Sequence, residues 1–413
     1  MKIVVQPASV NGIVAAPASK SYLQRALMAA TLSKGQTNLY ACSWCNDTRA
    51  VLEISQNFGA KIEFTDDHLT IDGNFSLPEK ELNCHESGLA LRMISPIAAL
   101  LPGKVVINGS GSLLSRPIDL ILDALINLSV GISSNNKRLP LTISGNMQGG
   151  DIEIDGSKGS QLLTGLLMAL PVCSENSSIL VHNLKSKPYI EMTIGLLHDF
   201  GIEIQHLDYK QFTIEGNQSY KAIDYTIEGD WSGAAFLLVA GAIAGKVCVT
   251  GLNQTSKQAD RKIVEVLQAV GSEIDFLNNS ISITKNQLRG FEFEADDCPD
   301  LFPPLVTLAS QCDSPSKIHG VQRLFTKESN RAESLKTEFK KIGVNIEISG
   351  NTMIIFPSKL DFGKTDAHND HRVAMALAVA ALTSEDGVEI DNFDSINKSY
   401  PQFLDDLLHI TKP

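Results

Sequence analysis

Ala18-Ser19-Lys20-Ser21 followed by Arg25 brings a lysine, two hydroxyls and an arginine to what reads as a helix start. Pro17 cannot continue a preceding helix. Ser19 or Ser21 can cap the new one, and Leu23, Ala26, Leu27 and Ala30 recur at helical spacing. Ser21 and Arg25 share a face of that helix. Backbone N–H groups and the dipole at a helix N-terminus favour an anion, so a phosphate or a carboxylate suits these residues. The alternative is a capped surface helix with a solvated lysine.

Similar clusters recur along the chain. Glu86-Ser87-Gly88 precedes the apolar helix holding Arg92. Ser115-Arg116-Pro117 opens another, with Pro117 suited to its first turn. Gly159-Ser160-Gln161, Ser186-Lys187-Pro188-Tyr189, Cys298-Pro299-Asp300, Lys327-Glu328-Ser329-Asn330-Arg331 and Asn369-Asp370-His371-Arg372 each stand before a helical pattern, and Lys398 stands before the last one. Any single cluster can be capping plus a solvated charge. An arginine at the start of a helix as apolar as 373–382 is harder to dismiss, because buried cations are rarely unpaired. Arg25, Arg92 and Arg116 lie in the first half; Lys327, Arg331, Arg372 and Lys398 lie in the second. If the helix starts of both halves face one cleft, they focus positive potential there and draw in two anionic substrates. Like-charge repulsion would hold the empty cleft open, and ligands would close it.

The elements that must position these residues follow a period. A helix-like segment ending in glycine, then an alternating strand, occurs at Gly59, Gly131, Gly201, Gly271 and Gly343, at intervals of 72, 70, 70 and 72 residues. Each glycine fits a left-handed helix C-terminus. Self-similarity at a fixed period is architecture, and 413 residues hold about six such units. The reading is an α/β protein of six subdomains in two lobes of three, with a boundary near Glu228-Gly229-Asp230 and a cleft between lobes as the default ligand site. The last unit would end near the C-terminus, where YPQFLDDLLHI reads as a helix.

Composition narrows the partners. Hydrophobic content of 43% and charged content of 20% describe a soluble globular chain. A net charge of −12 argues against nucleic-acid or anionic-membrane partners, though not against a small basic pocket. MKIVVQPASV is broken too early by Pro7 for a signal peptide, and the longest apolar run, about 234–245, is far short of a membrane span. Seven scattered cysteines suggest a reducing cytoplasm. Cys42-Ser43-Trp44-Cys45 lacks a partner pair for zinc or a thioredoxin-like context, and reads as structural or incidental.

At its chemistry-bearing residues the chain closely resembles the 5-enolpyruvylshikimate-3-phosphate synthase family. The motifs ASKSYLQRALMAA, SGLALRM, SRPIDLILDAL, GSQLLTGLLMALP, SKPYIEMT, EGDWSGAAFLL, PDLFPPLVTLA, KESNRAESL, NDHRVAMALA and KSYPQF stand in the family's order from about Gly12 to Phe403. The set is specific; no single motif is. The resemblance implies two lobes of three βαβαββ-type subdomains closing like a clam, with a first lobe over 19–227 and a second made of 1–18 plus 228–413. It implies transfer of the enolpyruvyl group of phosphoenolpyruvate to the 5-hydroxyl of shikimate 3-phosphate with release of phosphate, in the shikimate pathway of aromatic amino-acid biosynthesis. No metal or organic cofactor is implied, nor a nucleic-acid or membrane partner; the protein is expected to be a cytoplasmic monomer.

Residue roles follow from the same resemblance. Ser21, Arg25, Ser160, Gln161 and Ser186 would hold shikimate 3-phosphate with Tyr189 beneath its ring, and Lys20, Asp300 and Lys327 would also touch it. Lys20, Gly88, Arg116, Gln161, Arg331, Arg372 and Lys398 would bind phosphoenolpyruvate. Asp300, Lys327, Glu328 and Lys20 form the catalytic set: Asp300 would accept the 5-hydroxyl proton with Lys327 assisting, and Glu328 would protonate the methylene carbon. Which of Asp300, Lys327 and Glu328 moves which proton stays open. The chemistry fits the types: protonating the enol carbon needs an acid, the hydroxyl nucleophile needs a base, and arginines orient carboxylate and phosphate.

Three departures stand out. Many members have asparagine before the glycine loop and threonine after it, where this chain has Glu86-Ser87-Gly88-Leu89. A carboxylate near an anion site is unfavourable unless paired or pointed away. Gly159 replaces the first of two serines before the glutamine, and Arg323 stands where some members place asparagine. They leave inhibitor sensitivity open.

Three rivals compete with this reading. The sister transferase acting on UDP-N-acetylglucosamine usually has a reactive cysteine five residues before the arginine matching Arg116; this chain has Gly111 there, and no cysteine between Cys84 and Cys173. A non-catalytic anion-binding protein would be expected to lose Asp300, Glu328 or Lys327 first. A nucleic-acid-end enzyme is disfavoured by the acidic balance and the lack of a basic run.

Overall fold

The computed structural model describes residues 1–412. The chain forms two compact units, one of Lys20–Ile227 and one of Met1–Ser19 with Glu228–Pro413. Each unit holds three small sheets built to one plan. A central strand pairs parallel with a first strand and antiparallel with the far strand of a hairpin. In the second repeat Lys104–Asn108 is central, with Leu82–Asn83 parallel on one side and Arg138–Ser144 antiparallel on the other. Gly131–Asn135 closes the hairpin. The six central strands begin at Gly35, Lys104, Ser177, Gly245, Ser316 and Val388. A helix leads into each central strand; in four of the six sheets it also supplies the crossover that parallel pairing needs, and three repeats read β-α-β-α-β-β without interruption.

Three repeats are completed by distant segments. Asp224–Thr226, at the end of the Lys20–Ile227 unit, pairs parallel with Gly35–Tyr40 and so completes the first repeat of its own unit. In the other unit Ser9–Ala15 pairs parallel with Gly245–Thr250, and Ile3–Val5 pairs antiparallel with Val388–Asp391. These pairings explain why the N-terminal strands fold with the residues after 228. The last sheet has three strands, and the one containing Gly245–Thr250 has five because Thr411–Lys412 adds an edge. The α/β repeat expected from the sequence is therefore present, with unequal sheets at the ends of the second unit.

The crossover helices form the core. Trp231–Ala244, Phe302–Ser310 and His371–Ala381 pack on one another. Every residue of the first except Ser232 is buried, as expected of a helix that is apolar on all sides. Lys20–Leu32, Gly88–Ala98 and Gln161–Ala169 play this part in the other unit. The outer helices carry one apolar stripe: Arg331–Lys341 buries Ala332, Leu335 and Phe339 at helical spacing. Truncating Leu335 to alanine there would cost about 2–5 kcal/mol.

Local geometry corrects two expectations. Gly59, Gly201, Gly271 and Gly343 do sit at left-handed helix ends, with φ of 94°, 80°, 92° and 88°, but Gly131 does not. Ser129 takes that position with φ 59°, and Gly131 simply opens the strand. Arg116 and Pro117 do not open a helix. Arg116 is extended after the short turn Gly111–Ser115, and the helix starts at Asp119. Lys327 and Glu328 sit, as expected, just before a helix that starts at Arg331. All seven cysteines are unbridged, and Cys45 simply precedes the helix Asn46–Asn57. Among the described residues no helix is long and apolar enough to cross a membrane.

Candidate active site

In the Lys20–Ile227 unit the starts of the core helices meet. Lys20, the first residue of its helix, pairs with Asp47 at 2.9 Å. Gln24, one turn on, donates to the Asp47 carbonyl and to Ser87 Oγ, both at 3.0 Å. Ser87 caps the next core helix by accepting from Ala90 N–H. Gly88 follows, and its lack of a side chain has a use: a Cβ there would lie 2.8 Å from Arg116 Nη1 and 3.0 Å from Arg92 Nη1. Arg92 Nη1 also donates to Gln161 Oε1 at 3.3 Å, at the start of the third core helix. Ser160 is buried beside it. Three N–H-rich termini and two guanidinium groups thus surround one small space.

Arg25 lies on the same wall. Its Nε donates to Thr193 Oγ1 at 2.9 Å, Nη1 to the Ser21 carbonyl at 2.8 Å and Nη2 to Thr164 Oγ1 at 3.3 Å. No carboxylate among the described residues pairs with it, although it is only 1% exposed. Burial pulls its pKa down to about 10. Burial pulls Arg92 down to about 10 as well, and Arg116 adds to the effect. Arg116 Nε and Nη2 are buried with no hydrogen-bond partner. An uncompensated cationic cluster of this kind is unfavourable unless an anion completes it. Ser186, left-handed at φ 60°, and Tyr189 start the helix Lys187–Asp199 that carries Thr193. Thr193 in turn donates to the Tyr189 carbonyl at 2.7 Å. Every residue singled out in this unit (Lys20, Ser21, Arg25, Gly88, Arg116, Ser160, Gln161, Ser186, Tyr189) therefore belongs to one neighbourhood.

The other unit holds a paired cluster. Asp300 accepts from Arg331 Nη1 at 2.9 Å and lies 3.4 Å from Lys327 Nζ through the same oxygen. Its second oxygen is 3.1 Å from Arg372 Nη2. Burial alone would raise the Asp300 pKa, but Arg372, Lys327 and Arg331 together hold it well below the usual carboxylate range. Burial lowers the Lys327 pKa despite Asp300. Arg331 also donates to Glu328 at 2.5 Å and twice to Asp370. Burial would lower the Arg331 pKa, yet Asp370, Glu328 and Asp300 raise it. Asp370 caps His371–Ala381 by accepting from Arg372 N–H at 3.0 Å. Lys398 is buried at the end of the turn Phe393–Lys398, which packs on that same helix.

Sequence reasoning passed over Asp47, Thr164, Thr193 and Asp260, and named Asp370 and Arg92 in clusters without giving either a substrate role. Asp370 was within reach, since a helix-capping aspartate two residues before Arg372 is visible in NDHR. Asp47 and Asp260 lie far in sequence from the residues they face and carry no local signal. Glu86 resolves the worry about a carboxylate near an anion site: it accepts from Ser112 Oγ at 3.1 Å and wraps the backbone of Gly111.

Solved structures share this architecture. EPSP synthase from Acinetobacter baumannii matches with a TM-score of 0.83 at 22% identity, covering 99% of this chain and 98% of that one. The enolpyruvyl transferase NikO from Streptomyces tendae matches with a TM-score of 0.79 at 17% identity, covering 100% and 99%. The fold is thus that of the enolpyruvyl transferases. The chain is also 36% identical over 406 residues to the 3-phosphoshikimate 1-carboxyvinyltransferase of Clostridium kluyveri, covering 97% of this chain and 95% of the relative. It is 35% identical over 417 residues to that of Clostridioides difficile, at 97% and 95% coverage. Residues 4–407 match the family described as EPSP synthase (3-phosphoshikimate 1-carboxyvinyltransferase), and the chain belongs to that family.

Proposed function

We propose that this protein transfers the enolpyruvyl group of phosphoenolpyruvate to the 5-hydroxyl of shikimate 3-phosphate and releases phosphate. Family membership and the relatives' names support the activity. The observation that carries the site reading is Asp300, a carboxylate held by Lys327, Arg331 and Arg372, with Glu328 on the same Arg331.

Shikimate 3-phosphate is assigned to Ser21, Arg25, Ser160, Gln161, Ser186 and Tyr189, with Lys20, Asp300 and Lys327 also in contact. Phosphoenolpyruvate is assigned to Lys20, Gly88, Arg116, Gln161, Arg331, Arg372 and Lys398. Asp300 takes the 5-hydroxyl proton as the new C–O bond forms. An acid from the Glu328 and Lys327 pair delivers a proton to the methylene carbon. As phosphate departs, the methyl carbon gives a proton back to the conjugate base of that acid, which restores the carbon–carbon double bond of the product, and cations offset the charge that develops on the departing phosphate. Three cations make Asp300 a weak base in the empty protein. Substrate carboxylate and phosphate on those same cations neutralise them and raise its basicity when it is needed.

The test is phosphate release after mixing with phosphoenolpyruvate and either shikimate 3-phosphate or UDP-N-acetylglucosamine. Release with shikimate 3-phosphate alone is expected; release only with the nucleotide sugar, or with neither by folded protein, overturns the reading. Asp300→Ala is expected to remove turnover far more than binding. We also read the protein as a cytoplasmic monomer. Unbridged cysteines support the compartment, and light scattering giving the mass of two chains would overturn the oligomeric state.

A further inference from the structure

Asp260 is a fully buried acidic side chain of the second unit that the roles above leave unused. It sits on the short turn Ala259–Lys262 and is 0% exposed. One oxygen accepts from Ser232 Oγ, at the start of Trp231–Ala244. The other, Oδ1, is buried with no hydrogen-bond partner. A buried carboxylate with an orphaned oxygen is expensive to keep charged, and nothing in the fold of the turn requires an acid there. The electrostatic surroundings are those of the reaction site. The turn that holds Asp260, the turn Pro299–Leu301 that holds Asp300 and the helix His371–Ala381 that holds Arg372 all pack against Trp231–Ala244, and the charges of Asp300, Arg372 and Asp230, the residue before that helix, act on the Asp260 carboxyl. The buried Cys298 borders it too, its thiol held up by burial and by Asp260 itself.

We propose that Asp260 is a positioning residue for the reaction: the presence or absence of its charge, within reach of Asp300 and Arg372, sets how basic Asp300 is and how tightly Arg372 holds an anion. The proposal rests on the reading of Asp300 and Arg372 given above. Burial, followed by the Asp300 charge, pushes the Asp260 carboxyl up to about 7, against the pull of Arg372 and the Ser232 hydroxyl. The sign of each effect follows. Below that pH Asp260 is neutral and does not oppose the three cations that act on Asp300, and an anion at Arg372 is held firmly. Above it, the proton has left for solvent; the added negative charge makes Asp300 a better proton acceptor and weakens the hold on the anion. Turnover and phosphoenolpyruvate affinity therefore move in opposite directions as pH rises.

The experiment compares wild type, Asp260→Asn and Ser232→Ala by kcat and KM for phosphoenolpyruvate from about pH 6 to 8.5, a range that spans the transition. Substrate ionises alike in all three, so ratios between proteins isolate the enzyme. Asp260→Asn is nearly isosteric and fixes the neutral state. It is expected to lose about tenfold in kcat at the alkaline end, the effect of one pKa unit on Asp300, and to lack the alkaline rise in KM. Ser232→Ala keeps the acid but removes a hydrogen bond that favours its charged form, so its transition is expected at higher pH than in wild type. Parallel wild-type and Asp260→Asn profiles overturn the proposal, and so does a Ser232→Ala transition that stays put or moves down. If wild type turns over neither substrate pair, the activity reading has failed. Calorimetric titration with inorganic sulfate, whose charge is constant over this range, then decides. A wild-type to Asp260→Asn ratio of dissociation constants that rises with pH supports the proposal, and a constant ratio overturns it.

Discussion

Lys20 Nζ lies 2.9 Å from Asp47 Oδ2, and the Asp47 carbonyl also takes the side-chain amide of Gln24 from one turn further along the Lys20 helix. The lysine at the start of the most chemically suggestive stretch of sequence is thus aimed by a carboxylate on the following helix. Lys20→Met is expected to raise the KM for phosphoenolpyruvate by about tenfold or more, the loss of one charge-assisted contact. If Asp47 acts through Lys20, Asp47→Ala raises KM in the native background and changes nothing in the Lys20→Met background. A double-mutant cycle in KM reads this coupling; additive effects would show that Asp47 works independently.

Arg25, assigned above to shikimate 3-phosphate, costs the empty protein stability. Its folded pKa, about 10, lies below the ordinary 12.5. A base with a depressed folded pKa destabilises at every pH below the folded value, and the penalty fades as pH rises from about 10 toward the unfolded value. The shift corresponds to about 3 kcal/mol at neutral pH, part of which the bonds to Thr193 and Thr164 offset. Arg25→Met is expected to raise the ligand-free melting temperature while raising the KM for shikimate 3-phosphate about a hundredfold. Differential scanning calorimetry beside steady-state kinetics checks both halves. A variant that melts lower with an unchanged KM would assign Arg25 to the scaffold.

Much of this was legible in the chain, and for identifiable reasons. The repeat could be read because each outer helix must end and turn into a strand, and glycine is the cheapest left-handed residue for that turn. It misled at Gly131 because Ser129 took the strained position instead. The site residues could be read where they sit at the starts of apolar helices, since a cation there demands an explanation. Strand order could not: that Asp224–Thr226 returns to Gly35–Tyr40, and that Ile3–Val5 joins Val388–Asp391, depends on pairings across most of the chain. The partners of the cations were hidden for the same reason. Asp47 and Asp260 are ordinary acids in sequence and acquire meaning only when a turn or helix start brings them to Lys20 or Arg372.

Asp370 is expected to be the most destabilising single truncation in this site. It is 0% exposed and has no vacant acceptor capacity to spare. Oδ2 takes Arg331 Nε at 2.9 Å and Ser329 Oγ at 3.1 Å, while Oδ1 takes Arg331 Nη2 at 3.1 Å and Arg372 N–H at 3.0 Å. Asp370→Ala uncaps a core helix and leaves a buried guanidinium short of its bidentate partner. The expected loss is about 3–5 kcal/mol by urea unfolding. A loss under about 1 kcal/mol would mean that Asp300 and Glu328 suffice to hold Arg331.

Gly111 and Glu86 control the loop that delivers Arg116. Gly111 has φ 52°, and a Cβ on it would fall 2.2 Å from Glu86 Oε1. Glu86 in turn accepts from Ser112 Oγ, so its carboxylate ties down the turn Gly111–Ser115 just before Arg116. Gly111→Ala meets two separate obstacles: a left-handed backbone, worth about 1 kcal/mol, and a collision with a side chain that has a job. The variant is expected to raise the KM for phosphoenolpyruvate about tenfold by displacing Arg116, with a smaller effect on kcat, because Arg116 is assigned above to phosphoenolpyruvate binding and not to proton transfer. Glu86→Ala removes the collision and the tether together. It raises KM by itself, and combined with Gly111→Ala it yields a KM no worse than its own, since the clash has gone and only the backbone penalty is left. Effects that multiply in the double variant would show that Glu86 and Gly111 influence Arg116 through separate routes.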